Sequence, residues 1–488
     1  MRSTTYLTAA ACTAAVLAVT GLPPATAAPA APAKPLTKDT ADFNGDGYAD
    51  LAIGAHTATV NGVKRAGAIT IAYGSATGLK HDTAAVITQA TPGVPGDPAP
   101  DGKWREVSAH GDFDGDGYDD LYVQWVSKNV ILWGSKTGIT GASTTLPRGT
   151  ATSTDPELLG AGLGTGDING DGTDDIVIRS HGGRLGFTFS VLSGPINRTT
   201  GRAASTVVRD IWNQDGIGLR GNGLFVGDIT GDGLADVTVV GHRDYKPAST
   251  VLKGSPTGLV KGSGTFKEYA NYSTPYGSAF GDLNGDGYLD LAVGLGYSHA
   301  QTNAVRDAVS VNYGGPNGLS TTTPALLLSQ SSPGVPGVSE IGDRWGSTLE
   351  ITDTDGDGFA DLLIGASYET GDDAATTTGA GAVTVLRGSR TGITTTGAKT
   401  LTQNTAGVPS ASENNDHFGS AIAAIDSDKN GRPEVYVGGN GEDGFTGRVW
   451  NLTTAPGTGL TGTGATSFGL TALGGTAGAS NFGYRFAG

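Results

Sequence analysis

The chain has 488 residues, 81 of them Gly, only 16% charged residues and a formal net charge of −16. This balance suits a turn-rich all-β protein rather than a helical one. A chain this acidic repels a polyanion, so no nucleic-acid partner is expected.

Arg2 gives a short positive start, an apolar stretch runs from Leu7 to Val19, and Ala25-Thr26-Ala27 has the form of a small-residue cleavage site. Residues 1–27 are therefore read as a secretory signal peptide. The apolar run is too short to span a bilayer, and no later segment is long and apolar enough to form a transmembrane span. The sole cysteine, Cys12, lies in this segment, with lipid attachment there as a weaker alternative. A mature chain without cysteine forgoes disulfides, although export would permit them. Residues 28–38, rich in Ala and Pro, read as a linker. The expected product is secreted and extracellular, with association at the cell wall as a variant, and monomeric.

From residue 39 on, one acidic segment recurs about every sixty residues, the period of a repeat fold. It reads DFNGDGYAD from Asp42, DFDGDGYDD from Asp112, DINGDGTDD from Asp167 and DITGDGLAD from Asp228. It continues as DLNGDGYLD from Asp282 and DTDGDGFAD from Asp353, and ends as a degenerate DSDKNGRPE from Asp426. An aromatic-Gly strand often precedes it, as at Trp345–Leu349 and Phe418–Ile422. A strand such as Leu362–Gly365 follows, then an alternating one such as Gly381–Leu386. A turn of G-S-x-T-G-[LI] type comes next, starting at Gly74, Gly134, Gly254 and Gly388, and a fourth strand such as Lys399–Gln403 closes the unit. Four short strands per repeat make one propeller blade. The expected fold is all-β: a seven-bladed β-propeller of four-stranded blades over residues 39–488.

The ends support closure of the ring. The first acidic loop lacks its preceding aromatic-Gly strand, and the chain finishes with Asn481-Phe482-Gly483-Tyr484-Arg485-Phe486, which has that strand's form. The C-terminal strand is expected to pair into blade one, leaving no open sheet edge at the seam. β-branched and Gly-rich strands beside the loops, without amphipathic helices, argue against an EF-hand array.

The aromatic-Gly strand, the acidic loop and the Ile-Gly-Ala or Val-Gly-Leu ending resemble FG-GAP repeats, as in the N-terminal propeller of integrin α subunits. The resemblance covers nearly the whole chain after residue 38. Blade two departs from it with Trp104-Arg105, and blade four has a poorly matched first strand near Arg220-Gly221. It implies a propeller and calcium without naming a ligand, because one fold serves many functions.

The acidic loops suit a hard cation that takes six to eight oxygens. Positions 1, 3, 5 and 9 offer side-chain oxygens, position 7 a backbone carbonyl, and Gly at position 6 permits the sharp turn. The candidate ligands are Asp42, Asn44, Asp46 and Asp50 in blade one, and Asp112, Asp114, Asp116 and Asp120 in blade two. Blade three offers Asp167, Asn169, Asp171 and Asp175; blade four offers Asp228, Asp232 and Asp236, with Thr230 a poorer group at the third position. Blade five offers Asp282, Asn284, Asp286 and Asp290, and blade six Asp353, Asp355, Asp357 and Asp361. Blade seven has Asp426, Asp428, Asn430 and Glu434. Up to seven structural Ca²⁺ ions are expected, with blades four and seven weakest. These positions hold about half of the 47 Asp and Glu, and carboxylates so crowded repel one another without a cation. Asx-type turns without metal are the alternative for any single loop.

Strand alternation puts the acidic loops and the G-S-x-T-G turns at one end of the blades. The remaining connections share the opposite face. There the long connections cluster on blades five, six, seven and one, including three that contain Gly-Val-Pro, beginning at Gly93, Gly334 and Gly407. That arc is the expected ligand surface, with Tyr297, His299, Arg306, Tyr368, Glu369 and Phe445 as candidate contacts. The integrin resemblance points to the same face. No G-x-S-x-G, H-E-x-x-H or Walker motif occurs, and the seven His show no shared spacing. His110 and His417 are read as packing residues near metal loops, and Trp212 as the one Trp suited to stacking on sugar. The expected function is a secreted calcium-binding adhesion or recognition module for an extracellular protein or glycan, with no catalytic residues assigned. A secreted polysaccharide-active enzyme or esterase, with its site on the loop face, is the alternative.

Overall fold

The computed structural model describes residues 40–102, 104, 106–125, 128–147, 163–180, 188–211, 220–243, 246–267, 274–296, 307–340, 342–370 and 378–488. The expected signal peptide and linker lie outside the described residues, as do His181, Trp212, Tyr297, His299 and Arg306. Seven four-stranded antiparallel sheets form the blades of a propeller. Blade two is β4 (Glu106–Gly111), β5 (Asp120–Trp125), β6 (Lys128–Leu132) and β7 (Ser143–Thr145). Blade six is β20 (Trp345–Thr352), β21 (Asp361–Ala366), β22 (Ala382–Arg387) and β23 (Thr394–Leu401). Blade seven is β24 (Phe418–Ile425), β25 (Glu434–Gly439), β26 (Arg448–Ala455) and β27 (Gly459–Phe468). Blades three, four and five repeat the same order over Leu163–Asp210, Arg220–Lys261 and Thr274–Leu328.

Blade one is completed by the end of the chain. Its three consecutive strands are β1 (Leu51–Ala55), β2 (Ala68–Tyr73) and β3 (Lys80–Ile87), and β28 (Phe482–Ala487) pairs antiparallel with β1. The expected closure is therefore present, with Ile53 opposite Phe486 and Ala55 opposite Phe482.

The aromatic-Gly motif now has a physical reason. Trp104, Trp345, Phe418 and Phe482 are all fully buried. The glycine after the aromatic lets blades meet backbone to backbone. Gly346 sits at φ +94°, and a Cβ on Gly294 of the preceding blade would lie 1.8 Å from the Gly346 carbonyl oxygen. The second strand of each blade is covered on both sheet faces by neighbouring blades, so it reads as an apolar run rather than an alternation. Leu51–Ala55 and Asp361–Ala366 are buried throughout, whereas the outer strand β3 begins exposed.

The poorly matched first strand of blade four forms as expected, from Arg220 to Gly227, with a bulge between Gly221 and Gly223. Two details differ from expectation. The outer strand of blade six runs over Thr394–Leu401, so Gln403 lies beyond it. The Gly-Val-Pro segments are packing elements rather than loop surface. Val94, Val335 and Val408 are buried in the cores between blades, because each segment folds back along the outer strand of the next blade.

Candidate calcium loops and the opposite face

Each acidic loop is wound around its first residue. Asp42 accepts the Gly45 and Gly47 N–H groups at 2.8 and 2.7 Å, and Asp112 does the same for Gly115 and Gly117 at 2.8 and 2.9 Å. The ninth residue is the anchor. Asp50 accepts Phe43 N–H on one oxygen and Gly74 N–H on the other, at 2.9 and 2.8 Å, tying the loop to the G-S-x-T-G turn. Asp120, Asp175, Asp290 and Asp361 make the same pair of bonds. In blade four the first of these bonds comes from Thr230 instead of Ile229, while the bonds to Asp228 keep their usual positions. Loops of adjacent blades are also stitched together, as by Asp119 N–H on the Asp42 carbonyl and Asp174 N–H on the Asp112 carbonyl, 3.1 and 3.0 Å.

Burial without a cation raises the ninth-position carboxylates. Desolvation, reinforced by the other loop carboxylates and opposed by the backbone N–H groups, pushes Asp50 up to about 8 and Asp120 up to about 9. Asp175, Asp236 and Asp361 rise to about 6, and Asp290 rises well above the ordinary range.

Three loops bring three carboxylate oxygens within 4.8 Å of one another: Asp112, Asp114 and Asp120; Asp353, Asp355 and Asp357; and Asp426, Asp428 and Glu434. In blades one, three and five, Asn44, Asn169 and Asn284 hold the third position, and each Asn oxygen accepts the N–H two residues on. Asp114 Oδ1 in blade two is buried with no hydrogen-bond partner. That orphaned oxygen, amid hard carboxylate and carbonyl donors, fits a cation ligand set.

The loops of blades two and six, the two with four carboxylates, also receive an arginine. Arg198 pairs with Asp114 and Asp116, and Arg387 pairs with Asp355 and lies 3.5 Å from Asp361. The sequence pattern of the loops gave no sign of these partners, since each arginine arrives from a different strand or turn.

The opposite face carries a row of rings across blades six and seven. The Arg344 guanidinium lies 4.4 Å from the Tyr368 ring, Tyr368 lies 4.5 Å from His417, and His417 lies 6.4 Å from Phe445. Tyr368 and Phe445 are 40% and 45% exposed, unusual for large apolar side chains. His417 is thus not beside a metal loop. It precedes β24, whose far end leads to Asp426, so the whole strand separates them. His110, at the loop end of β4, does sit near one, with Nδ1 3.7 Å from Asp119.

Beneath this row lies a cluster that motif reading missed. Glu340, Asp343 and Glu369 bring carboxylate oxygens within 4.8 Å, and Gln330 Nε2 donates to Glu369 at 2.5 Å. The construction recurs one blade on, where Gln403 Nε2 donates to Glu442 at 2.6 Å and the Glu413 N–H to Asp416 at 2.6 Å, as the Glu340 N–H does to Asp343. Burial, with Asp343 and Glu340 adding, pushes Glu369 up to about 7; burial with Glu442 and Glu413 brings Asp416 to about 6. The available signal was the pattern E-x-x-D-[RH]-[WF]-G, read at 340–346 and 413–419.

Fold and loops together define a seven-bladed propeller built from acidic-loop repeats. The FG-GAP repeat family matches residues 39–71 and 345–386, and the FG-GAP-like repeat family matches residues 112–178 and 228–293. Integrin alpha-5 of Xenopus laevis is 25% identical over 240 residues, 45% of this chain and 21% of that protein. Integrin alpha-PS2 of Drosophila melanogaster is 28% identical over 232 residues, 43% of this chain and 15% of that protein. The chain thus aligns with about a fifth or less of the length of these relatives. Among solved structures, an Agrocybe aegerita lectin is 17% identical, covering 76% of this chain and 81% of its own, with a TM-score of 0.40, too low to relate the two. The matching repeats and the integrin α relatives support an FG-GAP-type, integrin-like propeller.

Proposed function

We propose that this propeller is an extracellular recognition module, stabilised by calcium in its acidic loops, that holds a protein or glycan ligand on the face opposite those loops. The observation that carries the reading is the row in which exposed Arg344, Tyr368 and Phe445 flank the buried His417 ring, spanning two adjacent blades on the arc where the long connections gather. Aromatic and Arg side chains of this kind supply most of the energy at binding surfaces. The loop residues named above would hold Ca²⁺, which supplies positive charge among carboxylates that otherwise repel. The chain's own contribution is to fix those oxygens by backbone hydrogen bonds and to stitch successive loops together.

The test is retention of residues 28–488 on an array of glycans and matrix proteins, with calcium and with chelator, with bound glycans assayed for cleavage. Calcium-dependent retention that Tyr368→Ala weakens supports the reading. Retention that neither calcium nor Tyr368 affects contradicts it. One observation favours a second reading: Glu369, raised to about 7 beside Asp343 and Glu340, has the character of a general acid with a carboxylate neighbour. Glycan cleavage abolished by Glu369→Gln would establish that enzyme instead.

A further inference from the structure

The seam between blades seven and one lacks the Gly-Val-Pro segment that packs beside blades two, six and seven. The chain leaves β27 at Phe468, makes a short 3₁₀ turn over Leu470–Leu473 and returns as β28. Leu470 and Leu473 pack into the core, and a half-open cavity of about 370 Å³ remains in front of them. It lies at the rim of the face that carries Phe445.

The walls of this cavity have a definite chemistry. On one side the His81 ring, from the outer strand of blade one, lies 4.5 Å from the Phe468 ring. Facing it, Arg448 donates through Nη1 to Ser467 Oγ at 3.1 Å and through Nη2 to Asp443 Oδ2 at 2.9 Å. Thr446, Thr471 and Thr476 add hydroxyls to the lining. The guanidinium charge is compensated by Asp443 and by Glu442, 3.7 Å away, while each Nη keeps a second N–H beyond its one hydrogen bond. The one lining carboxylate, Asp443, has its charge compensated by Arg448 in turn and stays exposed as an acceptor. The site is neutral and rich in hydrogen-bonding groups, with an aromatic flank.

A second observation singles out the same place. Asp443, Gly444 and Phe445 stand consecutively in the left-handed region, at φ +52°, +67° and +68°. For Phe this is strained backbone. Two N–H groups of the closing segment, Ser480 and Asn481, hold it by donating to the Phe445 carbonyl at 2.9 Å. Strain of this kind persists where surrounding structure enforces it, and it clusters at ligand sites. Here the same turn carries Asp443 to Arg448.

We propose that this cavity binds a single neutral pyranose, the terminal unit of a glycan. Vicinal hydroxyls match the alternating donors and acceptors of the Arg448–Asp443 pair, and the apolar C–H face of the ring matches His81 and Phe468. The volume is at the small end of ligand pockets and holds one ring rather than a chain. The proposal rests on the recognition reading above and narrows its ligand class to carbohydrate at this seam.

The test is saturation-transfer NMR on residues 28–488 in calcium, with glucose, galactose, mannose and N-acetylglucosamine as probes, and glucuronate and glucosamine as charged controls. The variants are Ser467→Trp, which fills the cavity, and His81→Ala, which removes the ring from an exposed strand position; Val338→Ser, at an exposed position outside both sites, serves as a control. At least one neutral sugar binds the wild type. Its binding is lost in Ser467→Trp, weakened about tenfold in His81→Ala and unchanged in Val338→Ser. His81→Ala carries the test alone if Ser467→Trp does not fold. The proposal is overturned if no neutral sugar binds at about ten times a millimolar Kd, if the charged controls bind as well, or if His81→Ala binds like wild type. Calcium-dependent array retention that survives such a result leaves the recognition reading standing and removes only the sugar site.

Discussion

Replacing Phe482 with Ala tests how the ring is closed. The ring of Phe482 is fully buried among Leu51, Ile53, Tyr436, Val449 and Phe468, and packs edge-on against Phe468 with centroids 6.0 Å apart. Truncating such a side chain costs about 3–5 kcal/mol, because the cavity left behind collapses only in part. A loss of about 4 kcal/mol lowers the folding equilibrium roughly a thousandfold. The backbone pairing of β28 with β1 is untouched, so the change isolates packing at the seam. Val338→Ser is the reference substitution: at 72% exposed it should stay within about 0.5 kcal/mol. Urea unfolding in calcium, followed by tryptophan fluorescence, compares the midpoints. A Phe482→Ala variant no less stable than Val338→Ser would refute closure by a docked C-terminal strand.

Other outcomes follow from the same structure. Gly294→Ala should destabilise by at least about 1–3 kcal/mol, since its Cβ meets a backbone oxygen that cannot rotate away; a wild-type melt would mean that the blades do not meet there. Tyr368→Ala, at a half-exposed site, should leave the melting temperature nearly unchanged while reducing array retention, and equal loss of both would mark Tyr368 as merely structural. The pH dependence has a definite sign. The folded-state values of Asp50 and Asp120, about 8 and about 9, lie above the ordinary 3.8. Their contribution without metal is therefore full below about pH 4 and lost as pH climbs through 8 to 9. Metal-free protein should melt higher at pH 5.5 than at pH 8.5, and calcium should selectively restore the alkaline side. A metal-free melt that rises with pH would count against the buried carboxylates.

The repeats made the fold legible because each blade states the same few constraints: aromatic-Gly, acidic loop, buried strand, G-S-x-T-G turn. Phe482-Gly483 announced ring closure for the same reason, being a first strand without its blade. What was hidden depends on contacts between repeats. Arg198 and Arg387 reach the acidic loops from other segments, and Gln330 meets Glu369 across a blade boundary. No local pattern encodes such encounters. Val94, Val335 and Val408 read in sequence as part of a loop surface because turn-forming neighbours look solvent-exposed; their burial follows from the gap between outer strands that they fill. The position of His417 was misread because nearness in sequence to Asp426 ignored the length of the strand between them.

Calcium titration is the most direct test of the account. Isothermal calorimetry on metal-free residues 28–488, paired with melts in calcium and in chelator, reads site occupancy and its effect on stability together. With affinities of about 10⁻⁴ to 10⁻³ M, each filled site adds up to about 2.7 kcal/mol at a hundredfold excess over Kd. The account predicts several Ca²⁺ bound per chain and a large fall in melting temperature on chelation. No binding heat with an unchanged melt would contradict it, leaving the acidic loops as metal-free turns.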